Sequence, residues 1–239
     1  PEPGERVVDA TGCVVTPGLV NTHHHLFQSL LKAVPEGLNA GLDIWLQKVP
    51  YAFWPWIDDA TLRIAAQVGL AELALSGCTT CADHHYIHDA GQQSDPAEVL
   101  FEEAGRLGMR FLLARGGGTK GRDYFDDPAM PPAFREPLEL FLERTAPLAD
   151  RWHDPADHAM TRVAVAPTTP IFNVEPEALP RIAAFARARG LRLHSHLSEN
   201  RTYVDVTRER HGMRPVHWLA RQDWLGPDVW FAHLVEVDA

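Results

Sequence analysis

The sequence predicts an α/β fold built on a (β/α)8 barrel, and three observations carry that expectation. Short apolar runs alternate with helical stretches, a rhythm that calls for a parallel sheet with helices outside it. Polar residues gather at the carboxyl ends of these runs, where barrel chemistry is built. No glycine-rich phosphate turn follows the first run, although a doubly wound open sheet usually carries one there.

The elements follow in order. Leu19–His23 reads as the first strand, followed by a long aromatic-rich loop through Pro55. Asp58 or Asp59 can cap a helix running to Leu73, which Gly77 closes. Cys78–Asp83 is the second strand. Asp95-Pro96 opens a helix ending near Gly108, with proline at the tolerated first turn. Met109–Arg115 is the third strand and Ala133–Trp152 the third helix. Between them, Gly116-Gly117-Gly118 reads as a loop that lets backbone approach a ligand. Arg162–Pro167 is the fourth strand, and a helix follows from about Pro176 to Gly190. Leu191–His196 and Val229–His233 are the fifth and sixth strands. Only six strands are legible, so the barrel is expected to be incomplete, with strands one to six in this chain.

Composition excludes several classes. At 239 residues the chain can bury a sizeable core. With 45% hydrophobic and 23% charged residues it reads as an ordinary soluble globular protein. No run of 18 or more apolar residues is present, so no membrane span is expected. The polar start, Pro1 to Arg6, has neither a methionine nor a signal-like segment and reads as the middle of a longer chain. A net charge of −10 argues against a nucleic-acid partner, since phosphate binding rests on clustered Lys and Arg. Three cysteines cannot form a secreted disulfide framework, which places the protein in a reducing cytoplasm. Cys78 and Cys81 form a CxxC, a pattern shared by redox and zinc pairs, but without a second CxxC they read as core residues of a buried strand.

Placement matters more than number among the thirteen histidines. In Thr22-His23-His24-His25 the period of two puts His23 and His25 on one strand face and His24 on the other. Two imidazoles at a barrel mouth can converge on one ion, whereas a lone histidine there is usually a satisfied polar residue. In His194-Ser195-His196-Leu197-Ser198-Glu199, His194 and His196 again share a face. His196 lies nearer the carboxyl mouth and is the expected ligand, with His194 a layer deeper. Glu199 can reach back over the site as a proton carrier, or act as an acidic residue complementing a helix dipole. His233 ends the sixth strand.

These residues together resemble the amidohydrolase superfamily. Within it the chain looks most similar to the aminohydrolases of ring amidines: triazine hydrolases, guanine and 8-oxoguanine deaminases, and pterin deaminases. The likeness is carried by Val15-Thr16-Pro17-Gly18-Leu19-Val20-Asn21-Thr22-His23-His24-His25, Ser76-Gly77-Cys78-Thr79-Thr80, Ala166-Pro167-Thr168, His194–Glu199 and Ala232-His233, in the expected order. Arg115-Gly116-Gly117, Ala166-Pro167-Thr168-Thr169 and Asp223-Trp224-Leu225-Gly226 look nearest to the isoxanthopterin deaminase branch.

The resemblance implies roles and limits. His23, His25 and His196 would ligate one divalent metal, Zn2+ or alternatively Fe2+. His233 would hydrogen-bond the activated water or the substrate, and Glu199 would move protons between water, ring nitrogen and leaving ammonia. The family's remaining ligand, an aspartate after the eighth strand, is absent from this sequence. Residues 1–15 would be a remnant of the family's amino-terminal β-sandwich, and residues 16–239 the partial barrel. Binuclear members bridge two metals through a carboxylated lysine ending strand four. The lysines here are Lys32, Lys48 and Lys120, none on a predicted strand, which favours one metal.

The expected reaction is hydrolytic deamination of an aminated nitrogen heterocycle of pterin or 8-oxoguanine type. The alternatives are a triazine-type aminohydrolase or dechlorinase, and a catalytically incomplete fragment that only binds metal. Arg115 could grip a ring carbonyl with its fork or bond loop carbonyls at the surface. Gln28 could read the substrate's amide edge or be structural. Trp45, Trp54 and Trp56 could stack on a flat ring, pack, or form a dimer interface. The expected partners are a small heterocyclic substrate and further copies of the chain in a homo-oligomer, with no nucleic acid and no membrane.

Overall fold

The structure, a computed structural model, describes residues 2–89, 92–121 and 130–238. Its elements in chain order are β1 (Leu19–His24), α1 (Leu42–Lys48), α2 (Pro50–Phe53), α3 (Asp59–Leu75), β2 (Cys78–His85), α4 (Pro96–Leu107), β3 (Arg110–Arg115), α5 (Leu138–Trp152), β4 (Thr161–Val165), α6 (Pro170–Asn173), α7 (Ala178–Ala188), β5 (Arg192–Leu197), α8 (Arg201–His211), α9 (Pro215–Ala220) and β6 (Val229–His233). The six strands form one parallel sheet in sequential order, β1 to β6. With helices outside and both edge strands drawn toward each other by a Trp230 Nε1 to Thr22 carbonyl hydrogen bond of 3.0 Å, this is an incomplete (β/α)8 barrel.

Local chemistry sets the element boundaries. The Asp58 carboxylate accepts the Thr61 amide at 2.8 Å and starts α3; the Asp95 carboxylate accepts the Ala97 amide at 2.9 Å and starts α4, whose first residue is Pro96. Gly108 ends α4 in the left-handed region at φ +75°, where a side chain would be strained. The inner faces of α4, α5 and α7 bury Leu100, Phe101, Phe141, Leu148, Leu179 and Ile182 against the apolar strands. Each such side chain contributes about 1.5–3 kcal/mol on burial, so this shell holds the strand ends in place.

Several expectations need correction. The third helix begins at Leu138, not Ala133, because Pro137 disfavours helical backbone at Glu136 and separates α5 from the single turn Pro132–Phe134. The stretch after β1 is not a plain loop but carries α1 and α2. Residues 2–18 contain turns and no strand, so a β-sandwich remnant does not show there. The Gly116–Gly118 loop serves a different approach from the one expected. A Cβ on Gly116 would lie 2.7 Å from the His85 carbonyl oxygen, and the Gly117 carbonyl accepts the Thr168 amide while the Gly117 amide donates to the Thr168 hydroxyl. These glycines let the loops after β2, β3 and β4 pack against one another. Cys78 and Cys81 are buried free thiols, as a core reading of the CxxC expects. Among the described residues no helix is long and apolar enough to cross a membrane.

Candidate metal centre

β1 delivers His23 from its last residues, and the chain turns at His25 into a short 3-10 segment, Leu26–Leu30. β5 brings His196 to the same mouth. One ring nitrogen from each of the three lies within 4.8 Å of the others.

Hydrogen bonds on the far side of each ring decide which nitrogen faces inward. His25 Nδ1 meets the His84 carbonyl at 2.7 Å, and His196 Nδ1 meets the Thr168 carbonyl at 2.7 Å. A carbonyl only accepts, so both Nδ1 atoms carry the proton and both Nε2 atoms present bare lone pairs. Those two Nε2 atoms face each other at 3.2 Å. For His23 the setting runs through a third residue. His194 Nδ1 donates to the Trp230 carbonyl at 3.0 Å, so His194 Nε2 accepts, and it meets His23 Nδ1 at 2.9 Å. His23 Nδ1 is therefore the donor and its Nε2 is bare as well.

Electrostatics agree with this arrangement. Burial, reinforced by neighbouring imidazoles, pushes His23 and His196 down to about 3 and holds His25 well below the usual range. All three are neutral at physiological pH, the form that ligates. Bare lone pairs converging at such distances repel unless a cation lies among them, so the donor set fits a divalent ion that accepts imidazole nitrogen.

Glu199 and His233 stand over the same mouth, with His233 Nε2 3.5 Å from Glu199 Oε1. Glu199 precedes α8 instead of lying in its first turn. The cap is Asn200, whose side chain accepts the Tyr203 amide at 2.9 Å, so Glu199 is not itself the helix cap. The His233 ring stacks on His196 with centroids 5.3 Å apart. His233 itself has φ +73° and Leu234 φ +53°, a costly backbone conformation for such residues. Hydrogen bonds from Leu234 to Leu197 and from Val235 to Ser198 hold that bend against β5.

A cavity of about 290 Å³ opens on these groups, with His23, His25, His196, Glu199 and His233 at its base. Trp45, Tyr51, Tyr86 and Phe134 form aromatic walls, and Gln28 lines it beside Tyr86. Of the other two tryptophans in the stretch after β1, Trp54 is core and Trp56 is exposed. Arg115 is not brought to this cavity. Its guanidinium is buried, forked onto Glu136 at 2.5 and 2.8 Å and 4.5 Å above the Phe141 ring. An arginine so committed has little left for a substrate carbonyl, which corrects that expectation; nor is it at the surface.

Two residues escaped sequence reasoning. Asn173 ends α6 at the cavity wall, where its Nδ2 is buried with no hydrogen-bond partner among the described residues, while its Oδ1 accepts from the Thr169 hydroxyl. The sequence places His194 a layer deeper than His196 but does not reveal its contact with His23. Its same-face spacing with His196 was the available signal.

Comparison with known proteins supplies the context for this geometry. Residues 14–239 match the amidohydrolase family. An isoxanthopterin deaminase from an unknown prokaryotic organism is 50% identical over 240 residues, covering 100% of this chain and 49% of that protein. The 8-oxoguanine deaminase of Pseudomonas aeruginosa is 39% identical, covering 100% of this chain and 52% of that protein. Among solved structures, a variant of the atrazine chlorohydrolase of Arthrobacter aurescens TC1, complexed with zinc and atraton, superposes with TM-score 0.83 at 28% identity. That match covers 93% of this chain and 49% of the other. The chain spans about half the length of the curated relatives it matches.

Proposed function

This chain belongs to the amidohydrolase family, and from that premise we propose that it supplies most of the active site of a metal-dependent deaminase of aminated nitrogen heterocycles. The single observation that carries the proposal is the convergence of three neutral imidazoles with their Nε2 lone pairs bare. His23, His25 and His196 would hold one ion. Zinc is favoured by the zinc-complexed structural relative, and a single ion by the absence of lysine from the end of β4. Such an ion lowers the pKa of water to about 7 and so supplies a nucleophile at neutral pH.

The chain's own residues do the rest. Glu199 takes a proton from the attacking water and hands it to the ring nitrogen beside the amino-bearing carbon. It then takes the second proton from the hydroxyl of the tetrahedral adduct and gives it to the amine, which leaves as ammonia as the carbonyl forms. General acid–base help of this kind contributes about 10²–10⁴-fold. His233, 3.5 Å from Glu199, holds the water or substrate on the side facing that carboxylate. The aromatic walls suit a flat fused ring, and the pterin and oxopurine deaminases named above point to that substrate class. Gln28 faces the ring's amide edge. Displacement of chloride or an alkylamine from a triazine would use the same residues and is separated by its product. Assembly into a homo-oligomer in a cytoplasmic setting completes the reading.

Asn173 is the expected donor to a ring carbonyl, since its amide hydrogens are buried at the cavity wall without a partner among the described residues. Asn173→Ala in the full-length protein should raise KM for an oxo-substituted heterocycle by about tenfold, a hydrogen bond being worth about 1–1.5 kcal/mol. Its effect on a matched ring lacking that oxygen should be smaller. Equal losses on both rings would remove Asn173 from recognition. The reaction itself is tested by ammonia release from pterins, oxidised purines and triazines with the metal-loaded full-length protein. Ammonia from an amino-substituted fused ring is the expected result. Metal-loaded protein inert toward all three groups would contradict the proposal.

A further inference from the structure

We infer that His194 is a positioning residue that fixes the tautomer and orientation of the His23 ring, the one ring of the three candidate ligands whose outer nitrogen is set by a side chain among the described residues. The inference rests on the proposed metal role of His23.

The three candidate ligands are not oriented alike. His25 and His196 are set by backbone carbonyls of His84 and Thr168, which no side-chain substitution removes. His23 alone is set by a side chain, the Nε2 of His194 at 2.9 Å. Both nitrogens of His194 are engaged, and their directions are forced. The Trp230 carbonyl at 3.0 Å takes the Nδ1 proton, so Nε2 has only a lone pair to offer. His23 must then carry its proton on Nδ1 and leave Nε2 bare. With the acceptor removed, neutral His23 is free to carry the proton on Nε2, the nitrogen that faces His25 and His196.

Packing keeps the relay in register. The His194 ring stacks on the Trp230 indole, centroids 4.4 Å apart and planes 16° from parallel. The same indole donates to the carbonyl of Thr22, the residue before His23. The position of His23 is thus tied to β5 and β6 through both its backbone and its ring. A histidine that merely filled a barrel layer would show neither a committed proton nor this contact. His194 also differs from the carboxylates that often orient metal-bound histidines: it is neutral and sets direction without adding negative charge to the centre.

The test compares full-length wild-type protein with His194→Phe, which fills the volume but cannot accept, and His194→Gln, which restores an acceptor. Zinc affinity is read by competition with a chromophoric chelator, and the His23 ring tautomer by 15N NMR of the metal-free protein. His194→Phe should bind zinc about 10–100-fold more weakly, and His194→Gln should recover most of that loss. Wild-type His23 should carry its proton on Nδ1. Folded His194→Phe protein with wild-type zinc affinity would overturn the inference. So would a wild-type His23 protonated on Nε2, a result that needs no variant to fold. Failure of the proposed metal role would look different, because wild-type protein itself would then not bind zinc.

Discussion

Glu199→Gln in the full-length protein is expected to keep its metal while kcat falls by at least about 10²-fold. Glutamine preserves the shape of glutamate, and Glu199 is not among the three converging imidazole donors, so metal affinity should hold. What is lost is the proton transfer, and general acid–base terms of this kind are worth about 10²–10⁴-fold. KM should move little, because an interaction realised only in the transition state leaves ground-state binding in place. His233→Ala should also retain metal and lose turnover, since its ring stacks on His196 while its Nε2 faces Glu199. Steady-state kinetics paired with metal analysis checks both. A metal-loaded Glu199→Gln enzyme turning over at the wild-type rate would remove Glu199 from the chemistry.

Arg115→Ala is expected to act on stability and only secondarily on substrate binding. Arg115 and Glu136 are almost wholly buried and joined by two parallel hydrogen bonds. Removing the arginine strands the Glu136 carboxylate in the interior with Arg144, whose side chain is 40% exposed, as its remaining cation among the described residues. Breaking one partner of a buried pair typically costs about 3–5 kcal/mol. Lysine should not restore the loss, because a point charge cannot reproduce the bidentate fork. Urea unfolding of full-length wild-type, Arg115→Ala and Arg115→Lys proteins measures this. Unchanged stability with a raised KM would return Arg115 to the substrate-gripping role that its position in the sequence suggests.

Arg115 shows where sequence reasoning stops. Its partner Glu136 lies 21 residues on, across a stretch with no periodic signal, and only the fold brings the two together. The strand-end histidines were legible because the period of two is geometric: residues two apart share a face whatever the fold around them. The Asp58 and Asp95 caps were legible because capping is local. The break at Pro137 had its local signal too, but the apolar pattern running through it from Ala133 to Trp152 outweighed that signal. Asn173 carried no signal, since an amide becomes informative only when its burial and its lack of a partner are known. The His23–His194 contact joins residues 171 apart, and neither its distance nor the proton order it enforces is written in either motif.

The central claim is that His23, His25 and His196 share one ion. It is tested most directly by metal analysis and anomalous diffraction of the full-length protein. The expected result is one divalent ion per chain, bound through the Nε2 atoms of all three at about 2.0–2.1 Å if it is zinc, and lost in His25→Ala. An ion held elsewhere, or His25→Ala retaining the metal in full, would contradict it.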